Sequence, residues 1–222
     1  VNIMKERKKI SSEVLKELYT KGEISQYFCP VHHIDDAIHF SIRLLKACNL
    51  ACDFCIQGKN NKYKKDFNSI EHCNKVTYKL IDKLNEELSK LSNEKIEIRM
   101  YGGETFLLDI FGFIKKIQPS NNKIRIVIVT NGTFFNKIRE SIALNKENLE
   151  VKFSISIHED YVDVNKMLEN ILSIDKKFIH NINIVATGKN NDFIDFLTKN
   201  YSDRYKINIK TIRDHVTKIV YE

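Results

Sequence analysis

Proline and glycine are scarce in these 222 residues, two and seven respectively, and no linker, internal repeat or low-complexity tract interrupts the chain. That excludes a string of small domains and suits one domain, long enough to bury a substantial core, with at most a short extension. No stretch approaches the roughly 18 uninterrupted apolar residues of a membrane helix, and the first residues are polar and charged instead of signal-like. A cytoplasmic protein with no membrane partner is expected. Cysteine is sparing too: there are five, none after Cys73 and three in one loop, which fits a reducing compartment better than a disulfide framework. Hydrophobic residues at 42% and charged residues at 29% describe an ordinary soluble globular protein. The net charge of +7 permits an acidic partner such as a nucleotide, RNA or an acidic peptide. Lysine dominates that charge and is spread along the chain, so a solvated basic surface is the simpler reading.

What the chain does concentrate is Cys48-Asn49-Leu50-Ala51-Cys52-Asp53-Phe54-Cys55, three cysteines spaced C-x3-C-x2-C. Three thiolates this close are the ligand type for an iron–sulfur cluster, and a four-iron cluster on three cysteines keeps one iron open for a substrate or cofactor. The competing reading is a structural zinc site, which takes four Cys or His ligands, usually as two separated pairs. Cys29, His32 and His33 lie upstream, where they serve as a metal clip, a lid or, more simply, part of a connecting loop.

The rest of the chain alternates helix and strand. Ser11-Ser12-Glu13 opens a helix ended by Gly22, residues 24–36 read as irregular, and residues 37–45 alternate as a strand that delivers the chain to the cysteines. A basic loop over residues 57–65 follows. Asn68-Ser69-Ile70-Glu71 has the form of a capping box opening a long helix, with Cys73 on its apolar face, that ends at Ser92-Asn93. Strands are expected over residues 96–101, 124–129, 151–157, 182–186 and 206–212, with helices over 134–144, 162–174 and 193–198. The run 124–129 is apolar enough for burial on both faces of a parallel sheet. Six strands separated by helices imply an α/β fold with right-handed crossovers. We divide the chain into an N-terminal helical extension, residues 1–36, and a core domain, residues 37–222.

At the cysteines and the strand ends the sequence resembles the radical S-adenosylmethionine (SAM) enzymes, whose signature C-x3-C-x-aromatic-C is matched with Phe54 as the aromatic residue. The resemblance implies a partial (β/α)6 TIM barrel, a form in which chemistry sits at the C-terminal strand ends. It implies a 4Fe-4S cluster on Cys48, Cys52 and Cys55, with the amino and carboxylate groups of SAM on the fourth iron. An electron then splits SAM into methionine and a 5′-deoxyadenosyl radical that abstracts hydrogen from a substrate. Tyr101-Gly102-Gly103-Glu104-Thr105 is similar to the family's GGE motif, so Gly102, Gly103 and Glu104 are expected at the methionyl amine of SAM. Val129-Thr130-Asn131-Gly132-Thr133 looks like the T-N-G-T turn of peptide-modifying members, placing Thr130 and Asn131 near SAM or in a plain polar turn. Ser154, Ser156 and His158 share one side of their strand, where the family uses polar groups for the ribose and carboxylate. Many relatives carry Asp where His158 stands, which leaves that histidine as a ligand contact, an acid/base or a packed core residue. Asn183 lies in a segment resembling the adenine-facing strand.

The resemblance covers roughly residues 37–212. Many peptide-modifying relatives append a cysteine-rich domain for auxiliary clusters, and the absence of cysteine after Cys73 points to a minimal core, one part of a split system or a truncated relative. A peptide substrate is expected from the T-N-G-T and GGET turns, with a nucleotide or RNA base as the alternative from the size and positive charge. An inactive SAM-binding or zinc-stabilised module is the reading from a different class. A reducing partner such as flavodoxin or ferredoxin is implied.

Overall fold

The computed structural model describes residues 28–30, 37–55 and 67–211. The expected N-terminal helix, His32, His33 and the basic loop 57–65 lie outside the described residues.

Among the described residues, seven strands form one sheet in the order of the chain, β1 to β7. β1 (Phe28–Pro30) is antiparallel to β2 (Ile38–Leu45). From β2 onward every pairing is parallel: β3 (Lys95–Gly102), β4 (Lys123–Thr130), β5 (Leu149–Ile157), β6 (Ile179–Ala186) and β7 (Ile207–Thr211). Each parallel step needs a crossover, and right-handed crossovers made always in the same direction put all the helices on one face and curl the sheet. The six parallel strands with interleaved helices therefore make an open half-barrel, as expected for a partial TIM barrel. β1 corrects one detail, because part of the stretch read as irregular is an edge strand.

The helices are α1 (Phe67–Leu88), α2 (Ile110–Lys116), α3 (Phe135–Ile142), α4 (Val164–Leu172) and α5 (Asn191–Tyr201). On α1, Cys73, Leu80, Ile81, Leu84 and Leu88 recur at helical spacing and are buried. Asn68 is already inside α1, so the expected capping box does not start the helix. α2 was not legible in the sequence. It is only seven residues long and contains Gly112, and Asp109 starts it by accepting a hydrogen bond from Gly112 N at 3.0 Å. A Cβ on Gly112 would stand 2.1 Å from the Tyr78 hydroxyl and 2.2 Å from Asp109 Oδ2, so those side chains would have to shift.

Alternation along each strand sorts the two faces. Ile42, Ile98, Met100, Ile126, Ile128, Val151, Phe153 and Ile155 are fully buried on the side of the helices. The concave face is charged in its lower half: Glu97 pairs with His39 at 3.5 Å, Arg99 at 3.5 Å and Arg125 at 3.8 Å, and Glu150 pairs with Arg125 at 2.7 Å and Lys152 at 3.1 Å. β4 is thus buried on both faces only in its upper half, with Arg125 exposed below.

Partial burial works against the Glu150 carboxylate, but the Arg125 hydrogen bond and Lys152 outweigh it and hold its pKa below the ordinary 4.5. A depressed carboxylate contributes stability that is present above the unfolded pKa and is lost as pH falls through the folded one. Glu150→Gln is expected to cost no more than about 1 kcal/mol at neutral pH. It should also flatten the decline in stability below about pH 4.5, as checked by urea titrations at several pH values.

Candidate active site

β2 ends with a register shift between Arg43 and Leu45, so its pairing with β3 jumps to Gly102. Such irregularities re-aim a strand at its end, and here the chain turns directly into the cysteine loop. Three neighbouring strand ends then pin that loop.

The first pin is β3. Gly103 N donates to Leu45 O at 2.9 Å and Glu104 N to Ala47 O at 2.8 Å. A Cβ on Gly103 would fall 1.9 Å from Ala47 O, and one on Gly102 would fall 2.4 Å from Leu45 O. The paired glycines therefore permit close backbone approach, as expected, and the neighbour they approach is the start of the cysteine loop.

The Glu104 carboxylate is fully buried and faces protein donors. Oε1 accepts from Phe106 N at 3.0 Å and from the Thr130 hydroxyl at 2.8 Å, while Oε2 accepts from Asn131 N at 2.8 Å. The Thr130 hydroxyl in turn accepts from Gly132 N at 3.1 Å. Burial pushes the Glu104 pKa up, against these three donors, which favour the carboxylate. Its place is a clamp between the Gly-Gly-Glu turn and the Thr-Asn-Gly-Thr turn. Glu104→Gln puts an amide N–H where a backbone N–H or hydroxyl must be accepted. A buried donor without a partner costs about 1–3 kcal/mol, and a fall of that size in unfolding free energy is expected in urea denaturation.

β4 supplies the second pin. Asn131 Nδ2 donates to Asn49 Oδ1 at 2.8 Å and approaches Cys48 Sγ at 3.7 Å. Asn131 Oδ1 accepts from Thr133 N at 3.1 Å and from the Thr133 hydroxyl at 2.7 Å. Asn49 Nδ2 closes the ring by donating to Thr133 Oγ1 at 2.8 Å. At β5, Phe54 stacks on His158 with centroids 5.5 Å apart and 13° between planes, and packs edge-on against Tyr161 at 6.0 Å. The Tyr161 hydroxyl accepts from Asp53 N at 2.9 Å, and His158 Nδ1 lies 3.6 Å from Cys52 Sγ. Desolvation lowers the His158 pKa to about 4, so the ring is neutral near pH 7.

Below this rim a polar ladder crosses the concave face. Asn183 Nδ2 donates to Ser154 Oγ at 2.9 Å, and Asn183 Oδ1 accepts from Asn181 Nδ2 at 2.8 Å and Asn208 Nδ2 at 3.3 Å. Ser154 and Asn183 are buried in it, whereas Ser156, nearer the strand end, is half-buried. Ser154, Ser156 and Asn183 are the residues expected here from the sequence; Asn181 and Asn208, which carry the same strand alternation, join them only in the fold. Asn49 and Tyr161 are likewise not among the expected residues. Asn49 stands inside the cysteine motif, which was a signal; Tyr161, in a short turn after β5, offered none.

The three thiols are the donor type an iron–sulfur cluster takes. Cys52 is buried and Cys48 and Cys55 are half-buried. Burial raises the Cys48 pKa, and burial together with the charges of Cys48 and Cys55 pushes that of Cys52 up to about 12. A coordinated metal removes those protons outright. Cys48 Sγ already accepts from Leu50 N at 3.4 Å, the kind of bond a thiolate ligand takes. A four-ligand zinc site completed by Cys29 does not fit. Cys29 is registered opposite Ser41, four residues before the end of β2, or about 13 Å short of the rim at roughly 3.3 Å per residue.

Residues 42–176 match the model of the Radical SAM superfamily. The chain is 33% identical over 141 residues to Uncharacterized protein MJ0907 of Methanocaldococcus jannaschii, covering 61% of this chain and 43% of that protein. Among solved structures it is similar to native anSMEcpe with bound AdoMet, with a TM-score of 0.51 and 17% identity, covering 77% of this chain and 52% of that one. The likeness to the same protein with bound AdoMet and Cp18Cys peptide has a TM-score of 0.48 and 17% identity, over 77% of this chain and 50% of that one. The chain therefore spans about half the length of these relatives, or less. The family match takes in the cysteine loop and the ends of the next three strands, on a half-barrel of the same fold, and the chain belongs to the radical SAM superfamily, whose enzymes use a 4Fe-4S cluster and S-adenosylmethionine.

Proposed function

We propose that Cys48, Cys52 and Cys55 hold the 4Fe-4S cluster and that this chain cleaves SAM reductively to take a hydrogen atom from a peptide. The observation that supports this most is the cysteine loop pinned by three consecutive strand ends at the C-terminal rim of the sheet. When bound, the cofactors supply an electron that splits SAM into methionine and a 5′-deoxyadenosyl radical; the protein supplies position and shelter.

The chain's own residues divide that work. Gly102 and Gly103 bring the loop against β3, and Glu104 holds the β3 and β4 turns together. Phe54, His158 and Tyr161 seat the loop on β5. We assign the SAM side of the rim to the backbone of Gly102 and Gly103, to Thr130 and Asn131, and to Ser156 above the Ser154 and Asn183 ladder. The peptide reading is supported by the Thr-Asn-Gly-Thr and Gly-Gly-Glu-Thr turns, which resemble those of peptide-modifying members of the family.

Metal analysis and isotope transfer test both parts. After anaerobic reconstitution, iron and acid-labile sulfide should be bound in equal amounts, with zinc absent. With deuterated peptides as substrate, deuterium should appear in 5′-deoxyadenosine. Deuterium transfer from RNA but not from peptides would replace the peptide reading, and bound zinc without sulfide would overturn the cluster.

A further inference from the structure

Two side chains from adjacent strand ends are directed at two of the three sulfurs. Asn131, after β4, has its amide orientation fixed: Oδ1 accepts from Thr133 N and Oγ1, so Nδ2 must face Asn49 Oδ1 and Cys48 Sγ, at 2.8 and 3.7 Å. His158, after β5, is held by its stack on Phe54, with Nδ1 3.6 Å from Cys52 Sγ. A thiol could share its proton with this nitrogen in either direction. A sulfur bound to iron has no proton and only accepts, so the imidazole beside it must carry its hydrogen on Nδ1.

We infer that Asn131 and His158 tune the cluster's reduction potential, by donating N–H hydrogen bonds to the Cys48 and Cys52 sulfurs. The inference rests on the ligand assignment proposed above. Reduction adds negative charge to the cluster and its thiolates, and a donor aimed at a ligand sulfur stabilises that state more than the oxidised one. Hydrogen bonds to sulfur, with net charge and solvent exposure, are what set such potentials. These two donors therefore shift the couple upward and make the cluster easier to reduce.

The test is a potentiometric titration of the reconstituted protein followed by electron paramagnetic resonance, comparing the native chain with His158→Phe and Asn131→Asp. Phenylalanine keeps a ring against Phe54 and removes only the donor. At a fixed potential, the ratio of reduced to oxidised cluster is expected to fall about tenfold in His158→Phe, a shift of about 59 mV for a one-electron couple. The shift should be in the same direction in Asn131→Asp. In native protein carrying ¹⁵N-histidine, pulsed resonance should detect one histidine nitrogen coupled to the reduced cluster. A purely structural role would lower cluster loading without moving the potential or producing that coupling. Unchanged midpoints overturn the inference, as does a native protein without the histidine coupling, and the second readout decides the matter even if a variant fails to load. An intact cluster in a Cys52→Ala protein would instead remove the ligand assignment itself.

Discussion

A Cys52→Ala protein should fold, bind no intact four-iron cluster and form 5′-deoxyadenosine more than about 10³-fold more slowly, at the level of an uncatalysed background. Cys52 is the middle cysteine in C-x3-C-x2-C and the most buried of the three. Its sulfur sits against His158, and Cys55 N donates to the Cys52 carbonyl at 3.1 Å, so the turn carrying the third cysteine starts from it. Each thiolate takes its own iron, and with two left the cluster has no stable seat. Cys73→Ala is the matched control. That thiol is also buried, but it packs in the core on α1, so its loss should cost stability and leave iron and sulfide content unchanged.

Gly103→Ala should also lower iron binding, without touching a cysteine. The added methyl would lie 1.9 Å from Ala47 O and 2.6 Å from Lys46 O, both backbone atoms that no rotamer change can move. The strand end must separate from the loop. That breaks Gly103 N to Leu45 O and Glu104 N to Ala47 O, and leaving such buried groups unpaired costs about 1–3 kcal/mol each. The sheet below keeps its six parallel strands, so far-ultraviolet circular dichroism should remain close to native while bound iron falls severalfold. Gly188→Ala provides the contrast. It has φ +75° but nothing within 4 Å of an added Cβ, so only the left-handed backbone cost of about 1–2 kcal/mol applies. Cluster loading should survive there.

Much of this site was legible because it is written at strand ends. Apolar alternation located β2 to β6 to within three residues at their starts, and in a parallel half-barrel consecutive ends must adjoin, so the cysteines, the Gly-Gly-Glu turn and the Thr-Asn-Gly-Thr turn had to meet. Side-chain direction within the turns was not legible. Glu104 reads as a ligand for an amine; in the fold the turn after β3 also swings its carboxylate inward, where three donors hold it. Nothing in the pattern marks that swing, because it depends on where Asn131 N arrives from β4. The expectation for Gly102 and Gly103 is a contact with SAM, and it carries no sign that the two glycines also bring β3 against Leu45 and Ala47. β1 and α2 were missed for a simpler reason. With three and seven residues they are too short to show a period, and Pro30 and Gly112 weaken what pattern there is. His158 was marked as a departure from the family, and its partners across the rim, Phe54 and Cys52, came only with the fold.

The most direct test of the account is chromatographic detection of 5′-deoxyadenosine after anaerobic reconstitution with iron and sulfide, chemical reduction and addition of SAM. The native chain should yield the nucleoside, and Cys52→Ala should stay at the uncatalysed background. Intact SAM with the native chain, or a protein that takes up zinc in place of iron and sulfide, would contradict the account.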